Sequence, residues 1–268
     1  MSFPDFSVSL GSAKYLVSLL KAIQLREGKG EMVRVGTVMG GLMFETMSKG
    51  KSLLCRVQLE HSCCRSLHVT RPTAFLADHG LLLGVLGVMG SGSQIDLQYE
   101  YGKLTVMVRE PLTSGGGSSE CVLHVTHVED PSPPLENGQA NAELTIVKGI
   151  FLAQSITSLE VDHPLTDTVV KVSVYSVPSN EDRIVLSLDV DTPAMGAGVS
   201  VSASSDVVRD VICEKSVSGE FRLQSFSAVK KLLAVSDQLR VKLQPGAIAI
   251  LATVQGGALG MLRLSSVV

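Results

Sequence analysis

Several acidic side chains are close enough in the sequence to suggest metal-dependent catalysis. Asp189 and Asp191 have the alternate spacing that puts both carboxylates on one face of a strand, and Asp162 and Asp167 could meet in a loop. Either pair could in principle hold a divalent cation for a nuclease. No third and fourth acidic ligand lies nearby, and turn capping explains both pairs more simply. These residues therefore do not support a nuclease.

Histidine and serine give no stronger catalytic signal. Of the six histidines, only His124 and His127 are close, and their odd spacing would put them on opposite faces of a strand. Residues 90–93 (GSGS) lack the glycine spacing of a nucleophile elbow. Residues 113–119 (TSGGGSS) lack the Lys-Ser/Thr of a P-loop, which favours a mobile loop over a phosphate cradle. We predict no catalytic residue, metal or cofactor.

The most informative cations lie on a short amphipathic helix predicted over residues 12–27. At about 100° per residue, apolar side chains gather on one face, whereas Lys14, Ser18 and Lys21 fall together on the other. This polar face carries spaced cations and no acid. Taken alone, it is typical of an ordinary surface helix with solvated lysines.

Composition sets further limits on function. A chain of 268 residues, 45% of them hydrophobic, is suited to two domains of roughly 130 residues. The net charge of −3 argues against bulk attraction to nucleic acid, so any contact with DNA must be local. The five cysteines include no C-x-x-C pair, which predicts neither a disulfide framework nor a zinc site. Without a membrane-length apolar run or a secretory signal, we expect a soluble intracellular protein.

The same order of elements is predicted in both halves of the chain. Each half reads as a strand, a helix, several strands, a second helix and three strands. The predicted helices cover residues 12–27, 72–86, 154–161 and 227–235. A proline-rich segment at the midpoint excludes helix and favours an extended linker. We therefore predict an α+β protein with domains at 1–128 and 143–268, a linker at 129–142, and antiparallel sheets bearing two helices on one face.

At this level of organisation the chain resembles the PCNA-type sliding clamps, rings that encircle duplex DNA. The resemblance lies in the element order, the midpoint linker and the lysine-bearing helices. Residues 20–27 (LKAIQLRE) are similar to the end of the first helix in one subunit of the heterotrimeric checkpoint clamp, the 9-1-1 complex. Residues 211–214 and 221–233 resemble a later region of that subunit. Residues 196–202 fall where clamps place an edge strand.

Two departures from a homotrimeric replication clamp favour the heterotrimer. The second and third predicted helices lack basic residues, and the third offers Glu160 and Asp162 instead. In a heterotrimer, partner subunits could supply more of the inner charge. The sequence also closes on a strand without a phosphorylatable tail, so it resembles a non-tailed subunit of the checkpoint clamp. A homotrimeric replication clamp and a DNA-independent, β-rich interaction scaffold remain the alternatives.

The resemblance implies that the protein holds DNA by enclosure and performs no catalysis. Lysine suits such a sliding contact because it is a flexible, hydrated point charge. The implied partners are two paralogous subunits, double-stranded DNA bound without sequence specificity, a clamp loader, and checkpoint and repair proteins, all in the nucleus. The implied DNA-facing residues are Lys14, Lys21, Arg26, Lys230 and Lys231. The implied subunit-interface residues are Val122, His124 and Thr126 on one edge strand and Val199, Val201 and Ala203 on another.

Overall fold

The chain forms two compact units in the computed structural model. The structure describes residues 4–25, 30–38, 40–88, 94–109, 117–129, 140–161, 168–177, 180–191, 196–202 and 204–267. Unit 1 comprises Met1–Thr46, Arg56–Leu135 and Gly256–Leu259, and unit 2 comprises Met47–Cys55, Glu136–Gln255 and Gly260–Val268. Most of the predicted linker, residues 130–139, lies outside the described residues.

The first half of the chain supplies two groups of antiparallel strands and two helices. Its elements are β1 (Phe6–Leu10), α1 (Ala13–Ala22), β2 (Met32–Val38), β3 (Gly41–Met47), β4 (Leu53–Glu60), a 3-10 turn (His61–Cys63), β5 (Ser66–Val69), β6 (Ala74–Asp78), α2 (His79–Val88), β7 (Gln94–Glu100), β8 (Lys103–Arg109), β9 (Ser118–His124) and β10 (Thr126–His127). One sheet has the order β5-β1-β7-β8-β9, and β10-β6-β2-β3-β4 lie side by side in another.

The second half repeats this plan. Its elements are β11 (Ala142–Ile146), α3 (Gly149–Val161), β12 (Val169–Val177), β13 (Asn180–Asp191), β14 (Gly196–Ser202), β15 (Val208–Cys213), β16 (Val217–Arg222), α4 (Leu223–Ala234), β17 (Ser236–Gln244), β18 (Ala247–Val254) and β19 (Leu259–Ser265). One sheet has the order β14-β13-β12-β16, and β19-β18-β17-β11-β15 lie side by side. The α+β prediction and the repeated element order are confirmed.

The position of the second helix was wrongly predicted from sequence. Residues 74–78 form β6, which pairs with β2, and the helix begins only at His79. Pro72 is the misleading signal, because proline is favoured at the first position of a helix and no helix begins there. The effective start signal is Asp78, whose carboxylate accepts the Leu81 N–H at 2.7 Å. Phe75 and Ala77 alternate toward the core as strand residues do.

The predicted strand over residues 121–128 is also two strands rather than one. It breaks at Val125, whose N–H donates to the Gly102 carbonyl at 2.9 Å instead of continuing the ladder with β8. Beyond this break, β10 pairs with β6 in the other sheet of unit 1. Thr126 therefore belongs to a different sheet from Val122 and His124.

Clusters of buried apolar side chains hold each unit together. In unit 1, the rings of Phe6, Phe75 and Tyr99 stack, with 4.5 Å between the centroids of the last two. In unit 2, Phe221 meets Phe226 edge to face at 6.1 Å. Burial of a large apolar side chain contributes roughly 1.5–3 kcal/mol. The unit 1 cluster therefore holds β6 against β1 and β7, and the unit 2 pair holds α4 against β16.

Candidate nucleic-acid interface and strand edges

The first helix has the two faces that its sequence predicts. Ser12 caps its start by accepting the Tyr15 N–H on its hydroxyl at 3.3 Å. Leu16 and Leu20 are fully buried, and the helix packs against α2. Lys14 and Lys21 are exposed on the opposite face. The exposed side of α1 thus carries two cations about two turns apart, a spacing suited to contact with a polyanion.

A buried network fixes the C-terminal end of this helix. The Glu31 carboxylate accepts the Leu25 N–H at 2.7 Å and lies 3.3 Å from Nδ1 of His79. Nε2 of His79 lies 3.1 Å from the Leu20 carbonyl, which also accepts the Ile23 N–H at 3.3 Å at the helix end. The imidazole is fully buried, and this burial lowers the pKa of His79 despite the nearby carboxylate. Sequence reasoning missed this network, because its members are far apart in the chain.

The cations of α4 differ from those of α1. The Lys230 ammonium forms an ion pair with the Glu160 carboxylate of α3, which packs against α4. The two side chains are 25% and 15% exposed, so the pair is partly withdrawn from solvent. Lys231 is exposed. The sequence shows that Glu160 is an acid on a helix where a homotrimeric clamp carries basic residues. Only the fold shows that Glu160 pairs with Lys230, a predicted DNA-facing residue.

The other two helices present no charge at their described exposed positions. On α2 these positions are Gly80, Leu81, Gly84, Gly87 and Val88, and on α3 they are Ile150, Gln154, Thr157 and Ser158. The fold therefore places the exposed helical cations of the described residues on α1 and α4. Arg26 lies outside the described residues.

The predicted interface residues lie on sheet edges, but their side chains point in different directions. β9 is the last strand of its sheet, and Val122 and His124 are exposed on it. β14 is the last strand of its own sheet, but Val201 is 6% exposed and faces the interior of unit 2. Val199 is half-buried on the same face. These two valines can offer a partner their backbone rather than their side chains, and Ala203 lies outside the described residues.

The residues considered for catalysis are dispersed. Nδ1 of His127 lies 3.0 Å from the Tyr99 hydroxyl and its ring stacks on that tyrosine, whereas His124 is exposed on β9. None of the five cysteines forms a disulfide. Among the described residues, no group of three or more His, Cys, Asp or Glu side chains could hold a metal ion. No described helix is long and apolar enough to span a membrane.

Comparison with solved structures identifies the fold. The chain is similar to the crystal structure of proliferating cellular nuclear antigen (PCNA) from Entamoeba histolytica, with a TM-score of 0.76. The alignment covers 98% of this chain and 99% of that one at 12% sequence identity. No protein-family model and no curated protein sequence matches the chain. The protein therefore has a PCNA-like clamp fold over essentially its whole length.

Proposed function

We propose that this chain is a non-enzymatic subunit of a ring-shaped DNA sliding clamp. The observation that carries the proposal is the clamp fold, which extends over 98% of the chain and includes both units. A second line of support is the exposed, acid-free cation pair Lys14 and Lys21 on α1. In such a ring these lysines, with Lys230, Lys231 and Arg26, face the duplex.

Enclosure explains why so few cations suffice. A protein that binds DNA through contacts alone needs many phosphate contacts, and its affinity falls steeply as salt rises. A closed ring keeps its DNA by topology, so phosphate contacts need only be weak and movable. Two exposed lysines on α1 and a net charge of −3 are consistent with a ring that retains DNA by topology and contacts phosphates only weakly. The same weakness allows the ring to slide.

We further propose that the ring is a heterotrimer of the 9-1-1 checkpoint type. The exposed positions of α2 and α3 are uncharged, and Glu160 already neutralises Lys230. Three copies of this chain would line a ring with little positive charge, whereas two different subunits can supply the rest. By this proposal the complex acts in the nucleus, where a separate loader places it on DNA at damage sites and checkpoint and repair proteins bind to it.

Reconstitution tests this proposal directly. The chain is co-expressed with the two paralogous subunits of a checkpoint clamp, and the product is sized by chromatography with light scattering. A 1:1:1 complex is expected. A stable trimer of this chain alone would indicate a replication-type clamp. A chain that stays monomeric and binds neither the paralogues nor DNA would favour the DNA-independent scaffold.

A further inference from the structure

The two free strand edges proposed for ring closure differ in their chemistry. β9 ends the sheet β5-β1-β7-β8-β9, and β14 ends the sheet β14-β13-β12-β16. Within the described residues, each of these strands has a strand partner on one side only. An open edge presents unpaired N–H and C=O groups and pairs readily with a strand of another chain. The side chains beside each edge then decide which strand is accepted.

The outward face of β14 is almost bare. Val199 and Val201 point toward the interior of unit 2, so the alternate residues form the outward face. These are Gly196, Gly198 and Ser200, two of them exposed glycines. A partner strand can approach closely here, because no side chain larger than serine stands at these positions.

One carboxylate lies over this bare strand. Asp189 of β13 is directly opposite Gly198 in the ladder and is exposed. A Cβ atom at Gly198 would lie 2.5 Å from Asp189 Oδ1, so the carboxylate occupies the space above the glycine. On the side away from β14, Asp189 lies opposite Lys171 of β12 in the ladder. No ion pair joins Asp189 to Lys171 or to any other cation in the described part of the chain. Within the described residues, the Asp189 carboxylate therefore stands beside the β14 edge without an ion pair.

The β9 edge of a second copy does not complement this charge. Its outward residues are Ser118, Glu120, Val122 and His124, which include an acid but neither lysine nor arginine. Like Asp189, the cations of β8 lie one strand behind the edge, but they stand opposite Ser118 and His124 rather than opposite a glycine. Arg109 is paired with Asp96 at 3.0 Å, and Lys103 lies opposite His124 at the end of the strand. Like charges brought together across neighbouring strands are destabilising.

We infer that β14 binds an edge strand of a different chain, one that carries lysine or arginine on its outward face. The Asp189 carboxylate over Gly198 is the group that recognises this cation and disfavours a second copy of this chain. This inference rests on the proposed clamp function and names the kind of partner strand that its β14 edge accepts.

Charge exchange at the two edges tests the inference. Self-association is measured by sedimentation velocity for the wild-type chain and for Glu120→Lys, with Glu120→Gln as the control that removes the acid without adding a cation. The wild-type chain is expected to stay monomeric. Glu120→Lys should associate head to tail, with a dissociation constant at least about tenfold below that of Glu120→Gln. Glu120 is exposed, and unchanged melting temperatures check that folding is intact.

Two further variants assign the effect to Asp189. Adding Asp189→Asn to Glu120→Lys should abolish the gain. Adding Gly198→Ala should reduce it without changing any charge, since the new methyl group displaces the carboxylate. Failure of Glu120→Lys to associate, or a gain that persists with Asp189→Asn, would overturn the inference. A wild-type homotrimer that holds circular DNA would also overturn the inference about β14, but it would leave the proposed clamp function intact. A chain that binds neither the paralogues nor DNA would refute the proposed clamp function.

Discussion

Removing the charge of Glu160 should strengthen DNA binding, although the substitution lies on a helix that carries no cation at its described exposed positions. The Glu160 carboxylate holds the Lys230 ammonium in an ion pair, and its second oxygen, Oε1, is buried without a hydrogen-bond partner in the described part of the chain. Glu160→Gln keeps the size of the side chain and a hydrogen-bond acceptor but removes the negative charge. Lys230 then becomes available to a phosphate group.

The magnitude follows from counterion release. Each additional phosphate contact steepens the dependence of log K on log salt by about 0.9. One freed lysine therefore predicts a slope increase of about 0.9. The affinity gain of Glu160→Gln over the wild-type chain should then be roughly eightfold larger at 0.1 M salt than at 1 M salt. The expected cost to folding is about 1–3 kcal/mol, because the two side chains are only partly exposed and part of their pairing is lost.

The assay is fluorescence anisotropy of the assembled clamp with a short labelled duplex, measured over a series of salt concentrations. Glu143→Gln is the matched control, since the Glu143 carboxylate also neutralises cations, namely Arg240 at 3.3 Å and Lys242 at 3.4 Å. These cations lie on the face of β17 opposite its buried residues, away from the helices. An unchanged slope for Glu160→Gln, or an equal rise for Glu143→Gln, would refute the reasoning.

Three further predictions concern α1 and unit 1. Lys14→Glu with Lys21→Glu should weaken DNA binding and lower the salt slope by about two, measured by the same anisotropy series. The stability of the protein should fall as the pH drops below about 6.5, because burial lowers the pKa of His79 and the unfolded chain takes up the proton first. Glu45→Gln should cost about 3–5 kcal/mol in urea unfolding, because it removes the negative charge that pairs with the buried Arg56 guanidinium.

Each of these predictions has its own control. Lys103→Glu with Lys215→Glu makes the same charge change at exposed positions outside the helices and should leave the salt slope unchanged. His79→Gln should remove the step in stability near pH 6.5, and a step that survives would assign it to another group. Replacing Glu45 and Arg56 together by methionine should recover much of the lost stability, and a double variant as unstable as Glu45→Gln would contradict the ion-pair explanation.

The sequence was sufficient for the features that depend on local periodicity. The apolar stripe of α1 predicts which residues are buried, and it correctly leaves Lys14 and Lys21 exposed. The repeated element order likewise follows from alternating and helical patterns along the chain. Boundaries failed where two local signals competed. At the second helix, Pro72 suggested a start, whereas strand pairing with β2 and the Asp78 cap place it at His79.

The features that sequence reasoning missed all depend on residues far apart in the chain. Lys230 and Glu160 are 70 residues apart, and His79 lies 48 residues from Glu31. No spacing rule connects such positions, because only the packing of helices and strands brings them together. The edge strand β14 was placed correctly, but which of its residues face outward depends on burial within unit 2. That burial turns Val201 inward and leaves Gly198 beneath Asp189.

The central claim is that the chain closes a ring around DNA, and retention on circular DNA tests it most directly. The assembled clamp is loaded onto a nicked circular plasmid, isolated with it by gel filtration at high salt, and the plasmid is then cut once with a restriction enzyme. A sliding ring predicts that the protein stays with the circle and leaves the linear molecule by sliding off its ends. Equal retention before and after cutting, or loss from both forms at high salt, would contradict enclosure and with it the clamp function proposed for this fold.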